Sequence, residues 1–120
     1  MNEDKKHDLS ARTKSFALRI IRLYVALPKT AVAQVLGKQI LRSGTSVGAH
    51  YREATRARST AEFVSKIEAG LQELEESTYW LELLTDGGIV PAHRCVDLRK
   101  EADELTAILV SSVKTAKKRT

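Results

Sequence analysis

The sequence predicts an all-α protein, an antiparallel up-down-up-down four-helix bundle. Apolar residues recur three and four apart in four successive segments, which is the period of a helix with one buried face. Only two prolines, Pro28 and Pro91, interrupt the 120 residues, and both fall between segments. The joins are short, which forces neighbouring helices to run antiparallel. No alternating strand pattern competes. The length suits one domain with a real core. The expected organisation is a flexible tail at 1–8, a bundle at 9–115 with helices at about 9–27, 30–56, 60–86 and 91–115, and a basic tail at 116–120.

The first segment places Phe16, Ile20, Leu23, Tyr24 and Leu27 at helical spacing and stops at Pro28. The second carries a stripe of Val32, Val35, Leu36, Ile40, Val47, Tyr51 and Ala54. The third opens with Ser59-Thr60-Ala61-Glu62, a capping box in which the Ser59 hydroxyl and the Glu62 carboxylate each accept from the other's amide. Phe63, Ile67, Gly70, Leu74, Ser77, Leu81 and Leu84 then form a heptad seam. Asp86-Gly87-Gly88 ends that helix, because glycine enters the left-handed region at little cost. Pro91 fits the first turn of a fourth helix, whose seam is Cys95, Leu98, Ala102, Leu105, Leu109 and Ser112.

The second helix contains an anomaly. Gly44 and Gly48 lie one turn apart within Arg42–Ser59, a stretch that also holds Arg52, Arg56 and Arg58. An interior glycine costs about 1 kcal/mol relative to alanine in a helix. Small residues at this spacing let a second helix approach closely. Gly44, Gly48, Val47 and Tyr51 are therefore expected in subunit or helix packing. Trp80 joins them, because Leu81 and Leu84 already occupy the seam and push Trp80 and Leu83 to another face. Apolar surface left over in this way marks protein–protein contact.

Charge is distributed unevenly. Residues 9–58 hold ten Lys or Arg and a single acid, Glu53, whereas residues 59–104 hold four basic and eleven acidic residues. Such a pattern offers a basic surface to a polyanion, or pairs the two halves with each other. No apolar run approaches the ~20 residues that span a bilayer. The charged start lacks the apolar core of a signal peptide, so the expected location is cytoplasmic. One cysteine, Cys95, makes neither an internal disulfide nor a cysteine-rich zinc site.

Catalytic patterns are missing. A di-iron bundle needs Glu-x-x-His motifs, and none of His7, His50 and His93 lies three residues after a glutamate. No glycine-rich phosphate loop follows a strand, and Ser43, Ser46 and Ser65 lack the context of a nucleophile. His50 shares a helix face with Arg42, but seven residues separate them, more than in helical ribonucleases of the arginine–histidine type. The expectation is a non-enzyme with no metal or other cofactor.

The runs Arg42–Ala54 and Glu62–Leu84, with Gly87-Gly88-Ile89-Val90-Pro91, resemble the four-helix-bundle proteins named after intervening sequences in 23S ribosomal RNA genes. The matching elements are the Leu27-Pro28 turn, Gln39 with Arg42 and Ser46-Val47, Glu53-Ala54, and Glu73-x-x-Glu76-Ser77 with Tyr79-Trp80-Leu81. The resemblance spans about Phe16–Ser112. It implies a homopentameric ring. It extends to the accessory variability determinant proteins of diversity-generating retroelements, which implies nucleic acid and a reverse transcriptase as partners. The family commonly has asparagine where this chain has His50.

The functional expectation is an oligomeric scaffold whose basic face binds RNA or DNA through phosphates, without sequence specificity. The alternative is a protein-binding adaptor, or an assembly whose charges pair only between subunits. Arg42, Arg52, Arg56 and Arg58 are the expected nucleic-acid contacts, joined by Arg19, Arg22 and the Lys117-Lys118-Arg119 tail.

Overall fold

The computed structural model describes the backbone of residues 3–119 and the side chains of residues 9–119. Four helices follow in order: α1 (Glu3–Ala26), α2 (Ala31–Thr55), α3 (Thr60–Asp86) and α4 (Val96–Lys118), with a 3₁₀ turn at Ala92–Arg94 before the last. No strand occurs among the described residues. Each helix packs against the next, and α4 closes the bundle against α1. The body is elongated, 49 × 21 × 19 Å, as helices of about 25 residues and ~38 Å require.

Contact register shows the antiparallel arrangement directly. Between α1 and α2, Gly37 faces Leu27, Gly44 faces Ile20 and Gly48 faces Thr13, so one number rises as the other falls. Between α2 and α3, Arg42 pairs with Glu73 and Glu76, Ser43 with Ser77, and Glu53 with Lys66. Arg12 ties α1 to α4 through Glu101.

The helix ends show why the elements begin and stop where they do. Thr30 caps α2, its hydroxyl accepting from the Ala33 amide at 3.3 Å. Ser59 caps α3 by accepting from Glu62 at 3.0 Å. Only half of the expected capping box forms, because the Glu62 carboxylate accepts from the Arg58 amide, one residue before Ser59. Gly88 has φ +74° and turns the chain after α3. The fourth helix starts at Val96, not at 91. Neither Pro91 nor Cys95 supplies a side-chain cap, and the chain first closes the tighter bonds Arg94 N–H to Pro91 O and Cys95 N–H to Ala92 O.

Both expected tails are shorter than 1–8 and 116–120. Residues 3–8 belong to α1, where Glu3, Lys5 and Lys6 are good helix formers; Met1 and Asn2 lie outside the described residues. The basic end continues α4 to Lys118, where Lys117 and Lys118 complement the negative end of the helix dipole.

The core follows the expected stripes with a few displacements. Phe16, Ile20, Ile40, Val47, Tyr51, Ile67, Leu74, Leu81, Leu84, Leu105 and Leu109 are buried, with Cys95 under the start of α4. Val64 is buried in place of Phe63, and Val113 in place of Ser112. The expected stripe of the second helix is wrong at its start, where Val32 and Val35 are 60% and 62% exposed. Ala33 and Gly37 face inward instead, because this edge of α2 lies too close to α1 for larger side chains.

The glycines explain that closeness. A Cβ on Gly44 would lie 2.7 Å from Ile20 Cγ1, and one on Gly48 would lie 3.1 Å from Thr13 Oγ1. The helix that approaches is α1 of the same chain, which uses the small-residue face within the subunit. Trp80 is half-buried against the core, not projecting from a separate face. Its indole nitrogen is enclosed and lacks a hydrogen-bond partner. The exposed large apolar residues lie elsewhere: Leu18, Ile21 and Val25 on α1, Val32 and Val35 on α2, Tyr79 on α3, and Val96 and Val110 on α4.

Candidate nucleic-acid interface

The outward side of α2 near its C-terminus carries Arg52 and Arg56 one turn apart, both exposed. Arg58 follows in the connection to α3, with its amide held by the Glu62 carboxylate at 3.1 Å. Lys14 reaches the same place from α1, and Lys66 from α3. Together these five basic residues line an open groove of about 900 Å³ that crosses three helices, with Gly48 in its floor. Two acids also line it, Glu53 and Glu62. Glu62 is engaged by the Arg58 amide.

Glu53 is engaged on both oxygens. His50 Nδ1 lies 2.8 Å from Oε1 and Lys66 Nζ lies 3.2 Å from Oε2. These hydrogen bonds, His50's first and Lys66's second, hold the Glu53 carboxyl below its usual range. Glu53 therefore stays ionised and forms its ion pair with Lys66 and not with an arginine. Arg52, Arg56 and Arg58 make no ion pair with a described carboxylate. Their planar donor forks are open to phosphate.

The other expected contacts lie elsewhere. Arg42 closes the α2–α3 seam, with Nη2 2.9 Å from Glu76 and Nη1 3.1 Å from Glu73. The Glu76 hydrogen bond and the Glu73 charge raise its already high pKa. Arg19 and Arg22 line a different cleft with Arg94, toward the Leu27–Pro28 end of the bundle. Arg119 shares a cleft with Arg58 at the groove's own end. Lys117 lies by Glu68 and Glu75, between α3 and α4. Of the four arginines in the Arg42–Ser59 stretch, three converge and the first does not.

Lys14 and Lys66 are the groove residues that sequence reasoning missed. Lys14 has a helical phase opposite the core stripe, a signal that was available. Lys66 sits within the acidic stretch, and only the packing of α3 beside α2 brings it to the arginines. Among the described residues, no group of three or more His, Cys, Asp or Glu is placed to hold a metal ion. No helix among them is long and apolar enough to cross a membrane.

Fold and site define a four-helix bundle with a basic groove along one flank. The chain belongs to the 23S rRNA-intervening sequence protein family, which it matches over residues 5–111. It is similar to the 1.70 Å crystal structure of a protein of unknown function from the S23 ribosomal protein family of Bacteroides thetaiotaomicron VPI-5482. The two share 37% sequence identity with a TM-score of 0.86, over 92% of this chain and 98% of that one. No curated protein matches the chain.

Proposed function

We propose that the protein is a non-enzymatic, cytoplasmic, oligomeric scaffold that binds RNA or DNA through phosphates. The observation that carries this reading is the groove in which Arg52, Arg56 and Arg58 converge with Lys14 and Lys66 while both local acids are otherwise engaged. The name of the family, taken from a ribosomal RNA insertion, supports nucleic acid as the partner. No aromatic ring among the described residues lines the groove, so these residues offer no platform for stacking bases. Binding is therefore to the backbone and tolerant of sequence.

The resemblance to accessory variability determinant proteins extends the proposal to a closed homopentamer and to a reverse transcriptase as a further partner. A closed ring satisfies every subunit's interface and repeats the groove around its circumference.

Titration of labelled single-stranded RNA and duplex DNA at low and physiological salt tests the reading. Each phosphate neutralised contributes a slope of about −0.9 in log affinity against log salt for duplex, and about −0.7 for single strands. Arg52→Glu/Arg56→Glu should abolish binding at physiological salt. Light scattering should give five times the chain mass. Absence of binding at low salt, or indifference to charge reversal, selects the second reading, an adaptor that binds protein. The Arg42–Glu73/Glu76 pairs favour that second reading, since they show basic and acidic halves neutralising each other.

A further inference from the structure

Arg19, Arg22 and Arg94 line a second cleft, of about 400 Å³, at the other end of the bundle from the groove. It lies between the end of α1, the return from α3 and the first turn of α4. Its floor is aliphatic, with Leu27, Val90 and Leu98 buried beneath it. Among the described residues no Asp or Glu lines it, in contrast to the groove, and none of the three arginines pairs with a described carboxylate. Convergence of three guanidinium groups without a counter-charge raises the local potential and favours an anionic occupant.

We propose that this cleft docks an acidic segment of a partner protein through an apolar anchor residue. Charge complementarity sets the sign of the segment, because three arginines line the opening and no described carboxylate pairs with them. The aliphatic floor sets the anchor, because a Leu- or Phe-sized side chain released from water there adds affinity that charge alone does not. Arginine around a desolvated apolar pocket is the composition of a binding hot spot. Nucleic acid fits less well, because a hydrated phosphate backbone gains nothing from the aliphatic floor of Leu27, Val90 and Leu98. The cleft is separate from the groove, so the proposal stands independently of nucleic-acid binding.

A fluorescein-labelled peptide, Asp-Asp-Leu-Phe-Asp-Asp, tests this by anisotropy at low ionic strength with the full-length protein. Two further peptides separate the contributions: Asp-Asp-Ser-Ser-Asp-Asp keeps the charge, and Ser-Ser-Leu-Phe-Ser-Ser keeps the anchor. The first peptide should bind at least about tenfold more tightly than either, tenfold being 1.4 kcal/mol. Arg19→Ala/Arg94→Ala should weaken it by a similar factor, with an unchanged circular dichroism spectrum. Arg52→Ala/Arg56→Ala should leave it unchanged, and unlabelled oligouridylate should not displace it. Failure to saturate by millimolar protein overturns the proposal. So does equal binding of the serine-centred acidic peptide, indifference to the Arg19/Arg94 change, or displacement by oligouridylate, which would assign the cleft to nucleic acid.

Discussion

Helix α2 is held differently on its two sides. Toward α1 it presents Gly37, Gly44 and Gly48, and the seam is closed by shape. Toward α3 it is joined by polar pairs: Ser43 with Ser77 at 2.8 Å, Arg42 with Glu73 and Glu76, and Glu53 with Lys66. A seam closed by shape resists added volume. A seam closed by pairing resists the loss of one partner. The same residue type therefore has opposite consequences on the two sides, and substitutions can test that contrast.

The largest effect is expected at Gly44. A methyl group there meets the branched Ile20 side chain at 2.7 Å, with Ile20 Cβ only 3.2 Å away, so relief requires movement of α1 itself. Gly44→Ala should destabilise by about 1–3 kcal/mol in urea unfolding, the usual cost of overpacking. Gly44→Leu should cost more. Unchanged stability would remove the case for a shape-closed seam.

The Ser43–Ser77 pair comes next. Both hydroxyls are buried, and Ser77 also donates to the Glu73 carbonyl at 2.8 Å. Ser43→Ala should cost about 1 kcal/mol by leaving an imperfectly satisfied partner. Adding Ser77→Ala should cost less than the sum, a coupling of about 0.5–1.5 kcal/mol in a double-mutant cycle. Strict additivity would show that the pair does not join the helices.

Gly70 sharpens the contrast, because it lies on the polar seam with room to spare. A Cβ there meets only Val47 O and His50 Cβ, each at 3.7 Å. Gly70→Ala should therefore stabilise by about 0.5–1 kcal/mol, through helix propensity and lost freedom in the unfolded chain. A destabilised variant would mean that the two seams are equally tight.

pH should separate buried groups from the paired Glu53 of the polar seam. Burial raises the pKa of Tyr51 and of Cys95, from ordinary values of 10.0 and 9.0. Both groups bind their protons more tightly when folded, so their stabilisation is present below pH 9 and is lost as pH rises through the raised values. Glu53 behaves oppositely, because His50 and Lys66 lower its pKa from 4.5. Its contribution is present above that pH and disappears as acid protonates it. Thermal melts from pH 3 to 11 should show Cys95→Ala flattening the alkaline limb and Glu53→Gln the acid limb; exchanged assignments would contradict burial and pairing as the two causes.

The smallest effect is expected at Arg42. Its pairs with Glu73 and Glu76 are exposed, and such pairs contribute little in water. Arg42→Gln should leave the melting temperature nearly unchanged, with any loss disappearing in high salt. Its nucleic-acid affinity should fall far less than that of Arg52→Glu. Equal losses would return Arg42 to the phosphate site.

Much of the bundle was legible in the chain. Leu74, Leu81, Leu105 and Leu109 are buried where helical periodicity places them, because one face of each helix must leave water. Ser59 and Gly88 act locally, within one turn of the residues they satisfy, so their roles are readable from neighbours alone. Thr30 caps α2 in the same local way, whereas the expected helix begins at residue 30 itself. Gly44 and Gly48 announced a close helix contact, but the sequence did not specify which helix makes it. Val32 and Val35 misled, since their apolarity matched the stripe while the space on that side was too narrow for them.

Sequence by itself determined the helical class, the three breaks that separate the helices, and the excess of basic charge over residues 9–58. These follow from interactions within a few residues or from composition. Tertiary structure decided which charges remain open. It set Arg42 against Glu73 and Glu76, moved Arg19 and Arg22 to the cleft of Arg94, and brought Lys14 and Lys66 beside Arg52, Arg56 and Arg58. Pairing between helices depends on the register in which their faces meet, and residues 14, 52 and 66 share a groove only after three helices have packed.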